Sequence, residues 1–198
     1  MTESRLGLRL TALATAFLST IAFADAPAGG AHFASDPAKS TLQFTFVQAG
    51  ATNTGKFAKF PVTLDAAADG SAASKLAVTV DMTTMDSGDK DRDDTLRGPD
   101  LFSVAKFPQA QFTATQITKT ATGFDALGKL TIRGVTRDQH VLFTLRAANE
   151  QGHAVSYLAG KTVVHRLDFG VGQGDWKSTE WVANDVTVSY NVRLVAAP

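Results

Sequence analysis

The densest run of chemistry-bearing side chains is acidic: Asp86, Asp89, Asp91, Asp93 and Asp94. Asp89, Asp91 and Asp93 fall at positions 1, 3 and 5 of a twelve-residue stretch ending on Asp100, a spacing that invites calcium. The pattern breaks at position 6, where Asp94 replaces the turn-forming glycine, and at position 9, where Arg97 adds a positive charge. Lys90 and Arg92 interleave the acids, so the expectation is a solvated, self-paired charged segment and no metal site. The histidines, His32, His140, His153 and His165, show no pair at ligand spacing. No serine occupies a nucleophile-elbow turn, and Gly170-Val171-Gly172-Gln173-Gly174 lacks the lysine and the strand-to-helix context of a phosphate loop. The absence of cysteine removes thiol catalysis and cysteine metal sites together.

What remains is binding chemistry. Arg166 and Asp168, two residues apart, would share one face of an extended segment. Arg92, Arg166 and Asp168, with Trp176 and Trp181, are the candidates for a ligand's polar or anionic head group at the mouth of a site, where bidentate guanidinium bonding is useful. Structural ion pairs that pin loop to scaffold are the competing reading for the charged residues. Thirteen phenylalanines against two tyrosines and two tryptophans make the aromatic surface apolar rather than hydrogen-bonding. Basic and acidic residues balance at nineteen each, which supplies no footprint for nucleic acid or an anionic membrane.

The elements that must position these residues read as strands. Period-two alternation recurs in Leu42-Phe46, Phe60-Leu64, Leu76-Met82, from Phe112, Phe124-Ile132, Val141-Ala147, about 154–166 and Val186-Leu194. Asp69-Gly70, Thr122-Gly123, Arg133-Gly134 and Gln151-Gly152 punctuate them. About eight short-linked strands, each with one apolar face, predict an all-β antiparallel barrel or sandwich. Within the charged segment 83–106, the stretch from Asp89 to Leu101 suits a short helix. At the amino end, Arg5 and Arg9 precede an apolar run, Leu10 to Phe23, and Ala22-Phe23-Ala24 has a small-x-small form. That run is too short for about 30 Å of hydrocarbon. Residues 1–24 are therefore read as an export signal and 25–198 as a single domain.

Taken in order, several motifs resemble the YceI-like family of periplasmic polyisoprenoid-binding proteins. They are Asp36 and Ser40; Phe46 to Gly50 with Gly55, Phe57 and Phe60; Arg92-Asp93 with Leu96, Phe102 and Phe107-Pro108; Gly128 to Thr136; and Arg166 to Gly170. The resemblance implies an extended, eight-stranded, lipocalin-like antiparallel barrel with a short helical capping segment. It also implies an elongated apolar channel for an isoprenoid or quinone-like lipid, residence in the periplasm, and no covalent cofactor. Many relatives carry histidines where this chain has Lys39, Gln48 and Thr95, so roles tied to those histidines do not carry over.

Joined to the strand parity, this makes Phe44, Phe46, Val78, Val80, Phe112, Phe124, Leu130, Ile132, Phe143, Leu145, Val188 and Tyr190 the expected lipid-binding lining. Three or four buried isoprene units would contribute a gross ~12–16 kcal/mol at about 0.8 kcal/mol per CH₂. The expected activity is sequestration, not catalysis. A membrane-protein donor or acceptor is the implied partner, and a homodimer is compatible with the sequence. The alternatives are a non-catalytic interaction module serving a quinone-linked membrane redox system and, third, a hydrolase or isomerase acting on the lipid, for which the sequence offers no polar dyad.

Overall fold

Alternating segments joined by tight turns satisfy their backbone groups only by pairing, and a sheet loses its edges only by closing on itself. The computed structural model describes residues 30–197, so the export signal read at 1–24 lies outside the described residues. Eleven strands form one antiparallel sheet. They are β1 (Gly30–Ser35), β2 (Thr41–Gln48), β3 (Ala51–Phe57), β4 (Val62–Ala67), β5 (Ala73–Asp81), β6 (Met85–Asp86), β7 (Gln109–Lys119), β8 (Phe124–Ile132), β9 (Val135–Glu150), β10 (His153–His165) and β11 (Asp185–Ala196). One helix, α1 (Lys90–Arg97), stands among them. The order β1-β4-β5-β7-β8-β9-β10-β11 closes when β1 pairs with β11.

The fold is therefore the eight-stranded closed antiparallel barrel with a short helical cap. Alternation alone missed β1, β3 and β6. In β3 only Phe57 is large and apolar, so no alternation marks it; it forms because β2 needs a partner on its free edge. The junction between β1 and β2 is a single helical turn, Pro37–Lys39, capped by Asp36 through the Ala38 amide. That turn lets β1 pair with the end of β11 and β2 with its beginning. Ala49-Gly50, Arg133-Gly134 and Gln151-Gly152 each place two successive residues at positive φ, the tight hairpin turn whose twist matches paired strands.

Inward positions divide into two packed regions along the barrel axis. At the end away from α1, Phe33, Leu64 and Leu194 interlock with Ala66, Ala114 and Ala126, all essentially without solvent contact. The Phe124 and Phe143 rings stack there at 5.3 Å. This end is solid. Outside it, Arg193 holds Asp36 at 2.8 Å and Glu150 at 2.6 Å, tying the β1–β2 junction to the β9–β10 hairpin. Tyr157 donates its hydroxyl to Glu150, and Arg146 lies over the Tyr157 ring at 4.4 Å. Outward positions are polar, for example Thr136, Asp138, His140 and Arg146 on β9 and Asp185, Thr187, Ser189 and Asn191 on β11. A barrel that crosses a membrane has the reverse arrangement. Among the described residues no helix is long and apolar enough to cross one either.

Phe124→Ala should lower stability by about 3–5 kcal/mol in chemical denaturation, the usual cost of emptying a packed aromatic site. The Tyr157 hydroxyl and then Arg193 hold the Glu150 carboxyl below its ordinary value of 4.5. Its contribution is thus complete above that pH and fades as acid carries the solution below it. Glu150→Gln should therefore narrow the difference in Tm between neutral pH and about pH 3, as read by circular dichroism.

Candidate functional site

Toward α1 the inward side chains no longer meet, and a cavity of about 180 Å³ lies inside the barrel. Val78 and Val80 come from β5, Phe112 from β7, Leu130 and Ile132 from β8, Val188 and Tyr190 from β11, and Phe44 from β2. Gln111, Gln139, Thr162, Arg166 and the hydroxyl-bearing Tyr190 also border this inner chamber, whose inner surface is apolar throughout. Burial pushes that hydroxyl far above its ordinary pKa, so it remains a neutral donor, bonded to the Leu142 carbonyl at 2.6 Å. A second chamber of about 380 Å³ adjoins the first beneath α1. Phe44, Phe102, Arg166, Val171 and Val186 belong to both and form the neck between them. Phe46, Leu96, Leu101, Trp176 and Val182, with Gln48, Thr95, Asp89, Asp91 and Arg92, complete the outer chamber.

Phe44 is fixed from three sides. It stacks with Phe46 at 6.0 Å and meets Phe57 at 5.2 Å. Across the sheet its ring lies against Gly55, where an added Cβ would sit 2.2 Å from it. A strand glycine here exists to admit an aromatic ring.

Arg166 departs from the extended-strand expectation. It begins a tight helical turn, Arg166–Phe169, so two-residue parity no longer applies: Arg166 is buried and Asp168 is exposed. The guanidinium has five N–H donors. Nε donates to Ala183 at 3.0 Å, Nη1 to Val171 at 2.9 Å and Trp176 at 2.7 Å, and Nη2 to Ser178 at 3.3 Å and Val182 at 2.8 Å. All five go to backbone carbonyls of the glycine-rich loop, and none remains for a ligand. Burial lowers its pKa from the ordinary guanidinium value, without a carboxylate to offset it. Neither a head-group ligand nor an ion pair, Arg166 is the pin that holds 171–183 over the barrel end. Gly172 makes room for it, since a Cβ there would come within 2.0 Å of Nη1.

The acidic run is spent on α1. Asp89 caps the helix by accepting the Arg92 amide at 3.0 Å, which depresses its pKa. Asp93 turns inward and accepts the Ser87 amide at 2.8 Å, while Asp94 pairs with Lys90. The Arg92 guanidinium lies 3.7 Å from Asp89. Arg92 therefore enters the outer chamber's wall beside two carboxylates, Asp89 and Asp91.

Of the remaining expected residues, Phe124, Phe143 and Leu145 lie outside both chambers, the first two in the solid end; parity placed them inward but cannot say how deep. Trp176 lines the outer chamber, whereas Trp181 is 66% exposed on the surface. Gln48 and Thr95 face the outer chamber, but Lys39 lies at the opposite end, beside Glu150 and Arg193. The lining also takes residues not assigned to it from the sequence, among them Phe57, Gln139, Val141, Val164, Phe169 and Val186. Parity with Leu158 marks Val164, but Gly160 and Thr162 at the intervening inward positions of β10 hide the alternation.

Over residues 33–194 the chain matches the YceI-like domain, and it belongs to that family. UPF0312 proteins of Yersinia pestis and Yersinia enterocolitica are 36% identical over 66 residues, 33% of this chain and about a third of those proteins' length. Burkholderia cenocepacia BcnA superposes with a TM-score of 0.69 at 30% identity, covering 82% of this chain and 99% of BcnA. A polyisoprenoid-binding domain from Saccharophagus degradans, described as implicated in plant cell wall breakdown, shares the fold at a TM-score of 0.61 and 15% identity. It covers 85% of this chain and all of that domain.

Arg166→Met should leave five carbonyls unpaired in a water-poor loop and cost at least ~3 kcal/mol in chemical denaturation. Limited proteolysis should then cut within 171–183. Arg166→Lys should not restore the loop, because an ammonium offers three donors instead of a planar five.

Proposed function

We propose that this protein binds a lipid with an isoprenoid or similar chain and an uncharged polar head, carries it through the periplasm, and does no chemistry on it. The observation that carries the reading is the inner chamber: an apolar void inside a closed barrel, continuous in its walls with a more polar outer chamber. Nothing in barrel architecture requires that void, since eight strands can fill themselves with side chains, as this chain does at its other end. The polyisoprenoid-binding description of the S. degradans neighbour and the family membership support the same ligand class.

The size of the chambers refines the ligand. A dry cavity of roughly 150 Å³ admits benzene, so the inner chamber takes about one or two isoprene units. Ten buried carbons would contribute a gross ~8 kcal/mol, before ordering and association costs. The three or four units expected from the sequence exceed the inner chamber, and the rest of the chain would occupy the outer one. The charges there refine the head group. Arg166 has no free donor, and Arg92 lies 3.7 Å from Asp89 in a wall that also holds Asp91, so a diphosphate would meet two carboxylates beside the one guanidinium within reach. An alcohol or quinone suits Gln48 and Thr95 better. The donor and acceptor of the lipid would be membrane proteins on this reading. A catalytic role would need a polar pair deep in the chamber; Gln139 and Thr162 bond to each other at 3.2 Å, and neither is a general acid or base.

Mass spectrometry of a solvent extract from freshly purified protein should recover a neutral isoprenoid lipid in near-stoichiometric amount. Leu130→Trp, which fills the inner chamber, should reduce that yield at least tenfold while the far-ultraviolet circular dichroism stays that of the parent. Lipid-free native protein, or undiminished occupancy in the variant, would remove the proposal.

A further inference from the structure

The barrel wall is not uniform. β9 and β10 pair from His153 and Glu150 as far as Gly160 and Phe143, and the ladder stops there. Beyond that point β9 runs on as far back as Val135, bonded only to β8, and β10 runs on to His165, bonded only to β11. The two strands separate over the half of the barrel that holds the inner chamber.

Side chains bridge the gap where backbone bonds would be expected. Gln139 Nε2 donates to the Thr162 hydroxyl and to the Val163 carbonyl, both at 3.2 Å. Thr162 donates to the His140 carbonyl at 2.8 Å, and Tyr190 reaches the Leu142 carbonyl at 2.6 Å. Gly160 makes the last bond sterically feasible, because a Cβ there would sit 2.2 Å from the Leu142 carbonyl and 2.8 Å from the Tyr190 ring. Gln139, Thr162 and Tyr190 are also walls of the inner chamber. On the outside, Leu142 and Val163 flank the same gap at 55% and 44% exposure, two of the few large apolar side chains so exposed among the described residues.

We infer that the β9–β10 seam is a lateral portal through which the ligand's hydrocarbon chain enters and leaves the barrel, with Gln139, Thr162 and Tyr190 as its latch. The inference rests on the carrier reading above and adds the route. The far end is solid, and the neck toward the outer chamber is bounded by Phe44, held by its aromatic neighbours, and by Arg166, held by five carbonyls. The seam is the wall whose bonds turn on side-chain torsions. A long chain laid in sideways need not thread through the neck, and Leu142 and Val163 give a half-inserted chain apolar contact.

The test uses all-trans-retinol, a fluorescent isoprenoid alcohol, and stopped-flow exchange. Continuing the register of the paired half sets His140 opposite Val163. The chain has no cysteine, so His140→Cys with Val163→Cys can be joined specifically by a reducible bismaleimide. Cross-linking should slow both uptake and release at least tenfold, leave Kd within about twofold, and be reversed by reductant. Tyr190→Phe, which keeps the ring and loses the hydroxyl, should speed release several-fold. Unchanged rates in the cross-linked protein, with retinol still bound, would overturn the portal and leave the carrier reading standing. Failure of the parent protein to bind retinol or any extracted lipid would end both.

Discussion

The structure depends on a single long strand with two different partners on one edge. β11 meets β1 near its end and β2 near its beginning, and the turn at Pro37–Lys39 is what allows the exchange. Pairing with β1 closes the barrel and buries Phe33 and Leu194 in a solid plug. Pairing with β2 carries Phe44 and Phe46 to the other end, where Phe44 borders both chambers and Phe46 the outer one. Arg193 fastens the point of exchange, donating to Asp36 of the turn and to Glu150 of the β9–β10 hairpin at once.

At the opposite end the same problem, a loop crossing an apolar interior, is solved without a counter-charge. A buried guanidinium that finds no carboxylate is costly unless every donor is matched. Arg166 matches all five with carbonyls that would otherwise be unsatisfied themselves. One side chain thereby orders a stretch that has almost no regular secondary structure, and Gly172 is the conformational concession that permits it. The character of the outer chamber follows: its cations are either saturated or opposed, and its walls are mainly apolar and aromatic side chains with the amide of Gln48 and the hydroxyl of Thr95 among them.

Much of this was legible in the chain. Alternation located most of the strands and their inward faces, because a strand's side chains must alternate wherever one face is buried. The capping helix falls inside the stretch Asp89 to Leu101 that suits one, and the structure adds its cap, the Asp89 carboxylate accepting the amide three residues on. The motifs from Phe46 to Gly170 pointed to the family that the residues 33–194 match bears out. β3 escaped because its partner, and not its own composition, makes it a strand. Arg166 and Asp168 were misread because the chain leaves the extended conformation at His165, and parity has meaning only within a strand.

The sequence by itself determined which side chains turn inward, an antiparallel all-β architecture, and the apolar character of the interior; closure is a tertiary fact, because it is made by β1 pairing with the end of β11. Only the tertiary structure decided where along the axis those side chains meet and where they leave a space. Phe124 and Phe143 look like Phe44 and Phe112 in sequence; the first pair stacks shut and the second lines a chamber. The reason is physical. Facing is a local property, set by alternation every two residues, whereas depth depends on register among eight strands and on where two of them cease to pair. No window of sequence contains that register.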